Sequence, residues 1–214
     1  MKKLLFLGPP FDYYKGGAEY QYKVLELNLE EKYAIYYLFR HPTSLPEENY
    51  INYDYMFRKT YKAGLYTDAL VIYRLIRRLS PDIIYHHGVA YIAAVGVCYA
   101  KLHKIRMILH IASKIDVEKS KNRSGIKSIF DFFDQKIAKY VIGNASQIIC
   151  QAKYQDTLLK ANYGRTCDLI LPNFHAIPED TIRKTLPIKI VWVANFKQLK
   201  LSLIHISEPT RPTT

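Results

Sequence analysis

The 214-residue chain is 49% hydrophobic and 23% charged, which excludes a disordered polymer and supplies enough apolar material for a full globular core. Its formal charge of +12 asks for an anionic partner, but the basic residues are scattered and no helix-turn-helix, zinc-finger or RRM-type pattern presents them to bases, so nucleic acid is not an expected partner. The three cysteines, Cys98, Cys150 and Cys167, lie far apart in apolar stretches without metal-ligand spacing, which predicts buried thiols in a reducing compartment and no metal site.

The first predicted strand is Lys3 to Leu7. The amino terminus has the charge of a signal peptide, yet its apolar run is only four residues long before Gly8-Pro9-Pro10, so a strand fits better. A helix follows from near Gly17 to near Glu30, with Tyr22, Leu25 and Leu29 turned inward, and then a strand from Tyr33 to Phe39. The segment from Pro42 to Tyr61, rich in Tyr, Asn and Glu, gives no clear period. Leu65, Ala69, Ile72, Ile76 and Leu79 recur at the spacing of one buried helix face. Asp82 to Tyr85 reads as a strand, and Val89 to Ala100 as a helix apolar almost all round, with Ala93, Ala94 and Gly96 small enough for close packing. Strand Arg106 to His110 precedes a second amphipathic helix carrying Ile126, Ile129, Phe130, Phe133, Ile137 and Tyr140 on one face. Strands Gln147 to Cys150 and Cys167 to Leu171 follow, and Ile188 to Ala194 is a further β-branched run after a Pro-containing linker. No stretch approaches the ~18 uninterrupted apolar residues of a membrane-spanning helix. Short apolar strands alternating with helices predict an α/β chain: a Rossmann-like parallel sheet with helices on both faces.

Two places in this pattern carry chemistry. The loop from Gly8 to Glu19 places Gly16 and Gly17 at a helix start, where unpaired amides and the helix dipole make an anion site suited to a diphosphate. It is neither a Walker loop nor the Gly-x-Gly-x-x-Gly of a dinucleotide fold. Secondly, His86, His87 and Gly88 are expected just past the carboxyl end of one strand and His110 at the end of the next, on the edge where open α/β sheets bind ligands. His110 is the leading candidate. His86 and His87 are neighbours on an extended chain and point to opposite faces, so they are poorly placed to share a metal ion.

In order and spacing these segments resemble the amino-terminal half of a GT-B glycosyltransferase of the retaining family 4 type. The resemblance runs through Gly16-Gly17-Ala18-Glu19, Pro81 to Gly88, Met107 to His110, Ser146 to Tyr154, Ile170-Leu171-Pro172-Asn173-Phe174 and Ile190 to Lys200, so it covers most of residues 1 to 200. The chain departs from the family pattern where Gln151 to Lys153 replace a common Ser, where Phe174 replaces Gly, and where Asn195 replaces an Arg of the donor phosphate site.

The resemblance implies an amino-terminal acceptor-side domain over residues 1–173, a linker over 174–187, and the first strand and loop of a donor-binding domain over 188–200. Residues 201–214 look like a translated sequencing adaptor and are expected to be non-native. It further implies transfer of a hexose from a nucleotide diphosphate sugar, with retention of configuration and no bound metal or other cofactor, to a growing glycan or lipid-linked acceptor. His110 would contact the donor sugar or reacting centre, while Gly16, Gly17, Glu19, Gly88 and Lys200 would bind donor or acceptor. The family's Glu-x7-Glu segment belongs to the second domain, and without it the chain as given is expected to be inactive. The expected location is cytoplasmic, with peripheral contact to an anionic inner membrane face through Lys114, Lys119, Lys121, Arg123 and Lys127. A non-catalytic α/β domain that holds a phosphate ligand or regulates a partner is the alternative reading.

Overall fold

A computed structural model describes residues 1–40, 49–53, 68–118 and 126–173, with side chains described except at 52–53 and 126–130. The chain divides into two compact units, Met1–Ala176 and Ile177–Thr214, and all described residues belong to the first. The run Ile188 to Ala194, residues Leu65, Lys119, Lys121, Arg123, Phe174, Asn195 and Lys200, and the side chains of Ile126, Lys127, Ile129 and Phe130 lie outside the described set.

Seven parallel strands form one sheet: β1 (Lys2–Leu7), β2 (Tyr33–Arg40), β3 (Tyr50–Tyr53), β4 (Ile83–His87), β5 (Arg106–His110), β6 (Gln147–Cys150) and β7 (Leu169–Ile170). Their spatial order is β3-β2-β1-β4-β5-β6-β7. The helices are α1 (Gly17–Leu29), α2 (Ala69–Leu79), α3 (Tyr91–His103), α4 (Ile126–Asn144) and α5 (Lys153–Tyr163). The fold is thus the expected Rossmann-like α/β sheet. Chain order reverses between β1 and β4, and at such a switch point open α/β sheets bind ligands in the crevice beyond the carboxyl ends of the strands.

Alternation along β1 sorts the core into two layers. Leu5 and Leu7 face one side, with Ile84, Met107 and Leu109 from neighbouring strands, under Ile72 and Ile76 of α2 and Ala93 and Val97 of α3. Leu4 and Phe6 face the other, in an aromatic layer with Tyr22 of α1, Tyr37, Phe39 and Tyr85. Phe6 stacks on Tyr22 with ring centroids 5.0 Å apart and meets Tyr85 edge-on at 5.5 Å. The small residues of α3 act as expected: a methyl group at Gly96 would run into Leu7 and Met107, so the helix lies close to the sheet.

The structure corrects several sequence expectations. β4 extends through His87, so both histidines belong to the strand rather than to the loop after it, held there by pairing with β5. In α4 the stripe that spacing marks as core is only partly covered: Phe133 is 50% exposed and Tyr140 38%. The buried side is displaced toward Asp131, Val141 and Ile142, because the helix rests its last turns on the main core. Strand β3 and helix α5 were not anticipated. Cys150 is buried, but Cys98 and Cys167 are only half-buried, and all three thiols are free.

Candidate functional site

Each strand around the switch point ends in a residue that the next strand or helix holds in place. After β1, the Gly8 amide donates to the Leu38 carbonyl at 3.1 Å, and any side chain at position 8 would collide with the Tyr22 ring. Tyr22 then bridges the crevice from α1. Its hydroxyl donates to the Leu7 carbonyl at 3.3 Å and accepts from the His87 amide at 3.0 Å, tying the end of β1 to the end of β4. Burial pushes this phenol well above its ordinary pKa, so it stays protonated and available as a donor.

His86 and His87 diverge as alternation requires. The His86 ring donates from Nδ1 to the Leu7 carbonyl. His87 turns to the aromatic face, and the register of β4 and β5 sets it directly beside His110. The two rings meet edge to face with centroids 4.5 Å apart. From the same face of β4 the Tyr85 hydroxyl lies 2.6 Å from Nδ1 of His110. From the end of β6, the Gln151 amide nitrogen reaches the Nε2 atom of His87 at 3.2 Å. Tyr85, His110, His87 and Gln151 therefore form one line of contacts across three strand ends.

The electrostatics of this line are uniform. Burial lowers His86 to about 4 and His110 to about 4, in each case against a smaller opposing pull from a backbone carbonyl, that of Leu7 and of Leu171 respectively. Burial and the adjacent histidines lower His87 to about 3. At neutral pH all three imidazoles are uncharged. Three of their buried ring nitrogens, Nε2 of His86, Nδ1 of His87 and Nε2 of His110, have no hydrogen-bond partner among the described residues; the Leu171 carbonyl stands outside hydrogen-bonding geometry with His110.

Gly88 and Asp116 shape the loop next to the histidines. Gly88 has φ +96°, a conformation that side chains rarely adopt, and its amide donates to the His110 carbonyl at 2.7 Å. The Asp116 carboxylate accepts from the amides of Val89 (3.0 Å), Ala112 (3.0 Å) and Ser113 (2.8 Å), which locks the loop after β4 to the loop after β5. Sequence reading passed over Asp116, although Ser113-Lys114-Ile115-Asp116 has the spacing of a capping box and forms one. Tyr22, Tyr85 and Gln151 were also missed as site residues. The signal for Tyr85 was its place two residues before His87, on the same strand face.

Gly16 and Gly17 lie where the sequence places them, at the amino end of α1, with Gly16 as the residue before the first turn. The Glu19 carboxylate folds back against Gly16, so that a methyl group there would strike it. An anionic side chain thus already lies beside the amides that a phosphate would use, a favourable place for negative charge at a helix start. Lys114 pairs with Glu118 at 2.9 Å on the surface. Among the described residues no cluster of three or more His, Cys, Asp or Glu could hold a metal ion, and no helix is long and apolar enough to cross a membrane.

No protein-family model matches the sequence, and no curated protein matches it either. Solved structures do match in fold. Sucrose-phosphate synthase from Thermosynechococcus elongatus aligns with a TM-score of 0.57 at 13% identity, over 80% of this chain and 48% of that one. MurG from Acinetobacter baumannii aligns at 0.52 and 12% identity, over 84% of this chain and 47% of that one. UDP-GlcNAc 2-epimerase from Neisseria meningitidis, bound to UDP-GlcNAc, aligns at 0.51 and 10% identity, over 80% and 46%. The fold matches the amino-terminal domain of GT-B enzymes. The chain spans under half the length of each of these proteins.

Proposed function

We propose that this domain is the acceptor-side half of a retaining glycosyltransferase of the family 4 type, which moves a hexose from a nucleotide diphosphate sugar to a glycan or lipid-linked glycan. The fold alone does not select transfer, since neighbours with this fold include an epimerase as well as a synthase. The order of the sequence segments from Gly16 to Lys200 favours it, and one observation carries the reading: His110, His87 and Gly88 meet at the carboxyl ends of β4 and β5, next to the β1/β4 switch point.

In the proposed enzyme a second domain holds the nucleotide, Lys200 binds donor phosphates as the resemblance implies, and the described residues serve the acceptor and the reacting sugar. His110 is neutral and donates from Nε2 to the donor sugar. A hydrogen bond that strengthens as the glycosidic bond breaks lowers the barrier without tightening ground-state binding. Gly16 and Gly17 offer amides to the departing diphosphate once Glu19 swings away, and Glu19 then accepts from an acceptor hydroxyl. No metal enters this scheme, because charge on the leaving group is met by amides and a lysine.

The test is product analysis. The contiguous gene product, including its second domain, should transfer hexose from a nucleotide sugar and give a product of the donor's own anomeric configuration. An inverted product, or turnover without any nucleotide sugar, would contradict the proposal.

A further inference from the structure

The contact between Gln151 and His87 assigns a proton. An amide nitrogen has only hydrogens to offer, so at 3.2 Å from it the Nε2 of a neutral His87 must accept, and the ring proton then resides on Nδ1. His110 follows the same logic. A protonated Tyr85 hydroxyl donating to Nδ1 at 2.6 Å leaves the proton of a neutral His110 on Nε2. These two atoms, Nδ1 of His87 and Nε2 of His110, are among the three buried histidine nitrogens that lack partners among the described residues; the third, Nε2 of His86, carries no proton because that ring donates from Nδ1. Two N–H donors on touching rings thus stand unsatisfied, an arrangement that a buried site does not favour unless a ligand completes it.

The surroundings indicate what such donors would take. The two residues that follow β1, β4, β5, β6 and β7 are Gly8 and Pro9, Gly88 and Val89, Ile111 and Ala112, Gln151 and Ala152, and Leu171 and Pro172. None carries a charge. Asp116, the nearby carboxylate, is occupied by three backbone amides. Neutral donors in an uncharged strand-end setting suit a neutral acceptor oxygen better than a phosphate, which would call for cations.

We propose that Gln151 is a positioning residue which fixes His87 as the Nδ1-protonated tautomer, so that His87 and His110 together offer two neutral N–H donors to a sugar hydroxyl. The ligand half of this assignment rests on the reading of the edge as a sugar site; the tautomer half does not, and holds or fails without any transferase activity. Gln151 belongs to the segment where the chain departs from the family pattern, so the contact is a property of this chain.

The experiment is two-bond 1H–15N spectroscopy of the histidine-labelled chain at a pH where these rings are neutral. His87 should show a pyrrole-type Nδ1 and a pyridine-type Nε2, and His110 the reverse. Gln151→Glu, which replaces the amide donor with an acceptor, should invert the His87 pattern and leave that of His110 unchanged. Gln151→Leu should give His87 a mixture. A wild-type His87 protonated on Nε2, or a pattern indifferent to Gln151→Glu in a folded variant, would overturn the tautomer assignment. Should a variant fail to fold, the wild-type spectrum alone decides it. Added methyl glucoside should shift the His87 and His110 signals together, while inorganic pyrophosphate should not. Pyrophosphate shifting the pair, or methyl glucoside shifting neither ring, would overturn the ligand half while leaving the tautomers standing.

Discussion

Asp116 holds the site by a single carboxylate that takes three backbone amides from two loops. Hydrogen bonds to a charged acceptor are among the stronger ones, and removal leaves partly buried amides unpaired. Asp116→Ala should therefore lower unfolding free energy by about 2–3 kcal/mol, measured by urea denaturation, with the loops after β4 and β5 losing hydrogen-exchange protection first. The histidines set a second residue-scale expectation. Burial holds His86, His87 and His110 near 4, 3 and 4, below their unfolded value of 6.5, so the unfolded chain binds protons that the native one refuses. Stability is then complete above about pH 6.5, falls as pH drops through the interval toward 3, and levels off below the native values. Denaturation midpoints at several pH values check this, and replacing all three histidines with Gln should flatten the fall. The strand-end place of His110 and the divergence of His86 from His87 are legible in the sequence, and the Ser113–Asp116 capping spacing is present there but was passed over. That His87 stands beside His110 was not, because strand register is a tertiary property and strand ends are blurred in sequence by a residue or two.

Helices and strands differ in how plainly they announce themselves. Helix α2 was readable because Ile72 and Ile76 repeat at helical spacing and are fully buried. Helix α5 was not: in Lys153–Tyr163 the residues that go inside are Gln155 and Leu159, and its start is set by the Gln155 side chain accepting from the amides of Gln151 and Ala152 at 2.7 and 3.2 Å. Strand β3 is four residues long and pairs with β2 alone in the sheet order, so it lacks the buried apolar run by which β1 or β5 is recognised. Two variants test the helix ends and faces. Lys104, exposed after the last turn of α3, has φ 55°, a left-handed conformation that costs a side chain about 1 kcal/mol. Lys104→Gly should raise stability by about that amount, seen as a higher urea midpoint at an unchanged slope. Gly96→Val should act the other way, since its side chain would press on Leu7 and Met107 between α3 and the sheet; overpacking of this kind costs about 1–3 kcal/mol.

At the scale of the whole molecule, the parallel sheet assembles its seven strand ends into one edge, and the aromatic layer beneath α1 lies under part of that edge. Fold class was legible because alternation of short apolar runs with helical stripes admits few other architectures. The proposed function rests on segment order, and the fold neighbours, which include both a synthase and an epimerase, leave the chemistry to the site. The central claim is that His110 acts on the sugar as charge develops, rather than only holding the end of β5. It is tested by kcat per folded active site for His110→Ala in the enzyme that includes the second domain, with the melting midpoint measured on the same samples. The account predicts a fall in kcat of about ten- to a thousandfold with donor affinity much less affected, the signature of a hydrogen bond made mainly in the transition state. An unchanged kcat in the folded fraction, accompanied by a lowered midpoint, would show that His110 holds the strand end and nothing more.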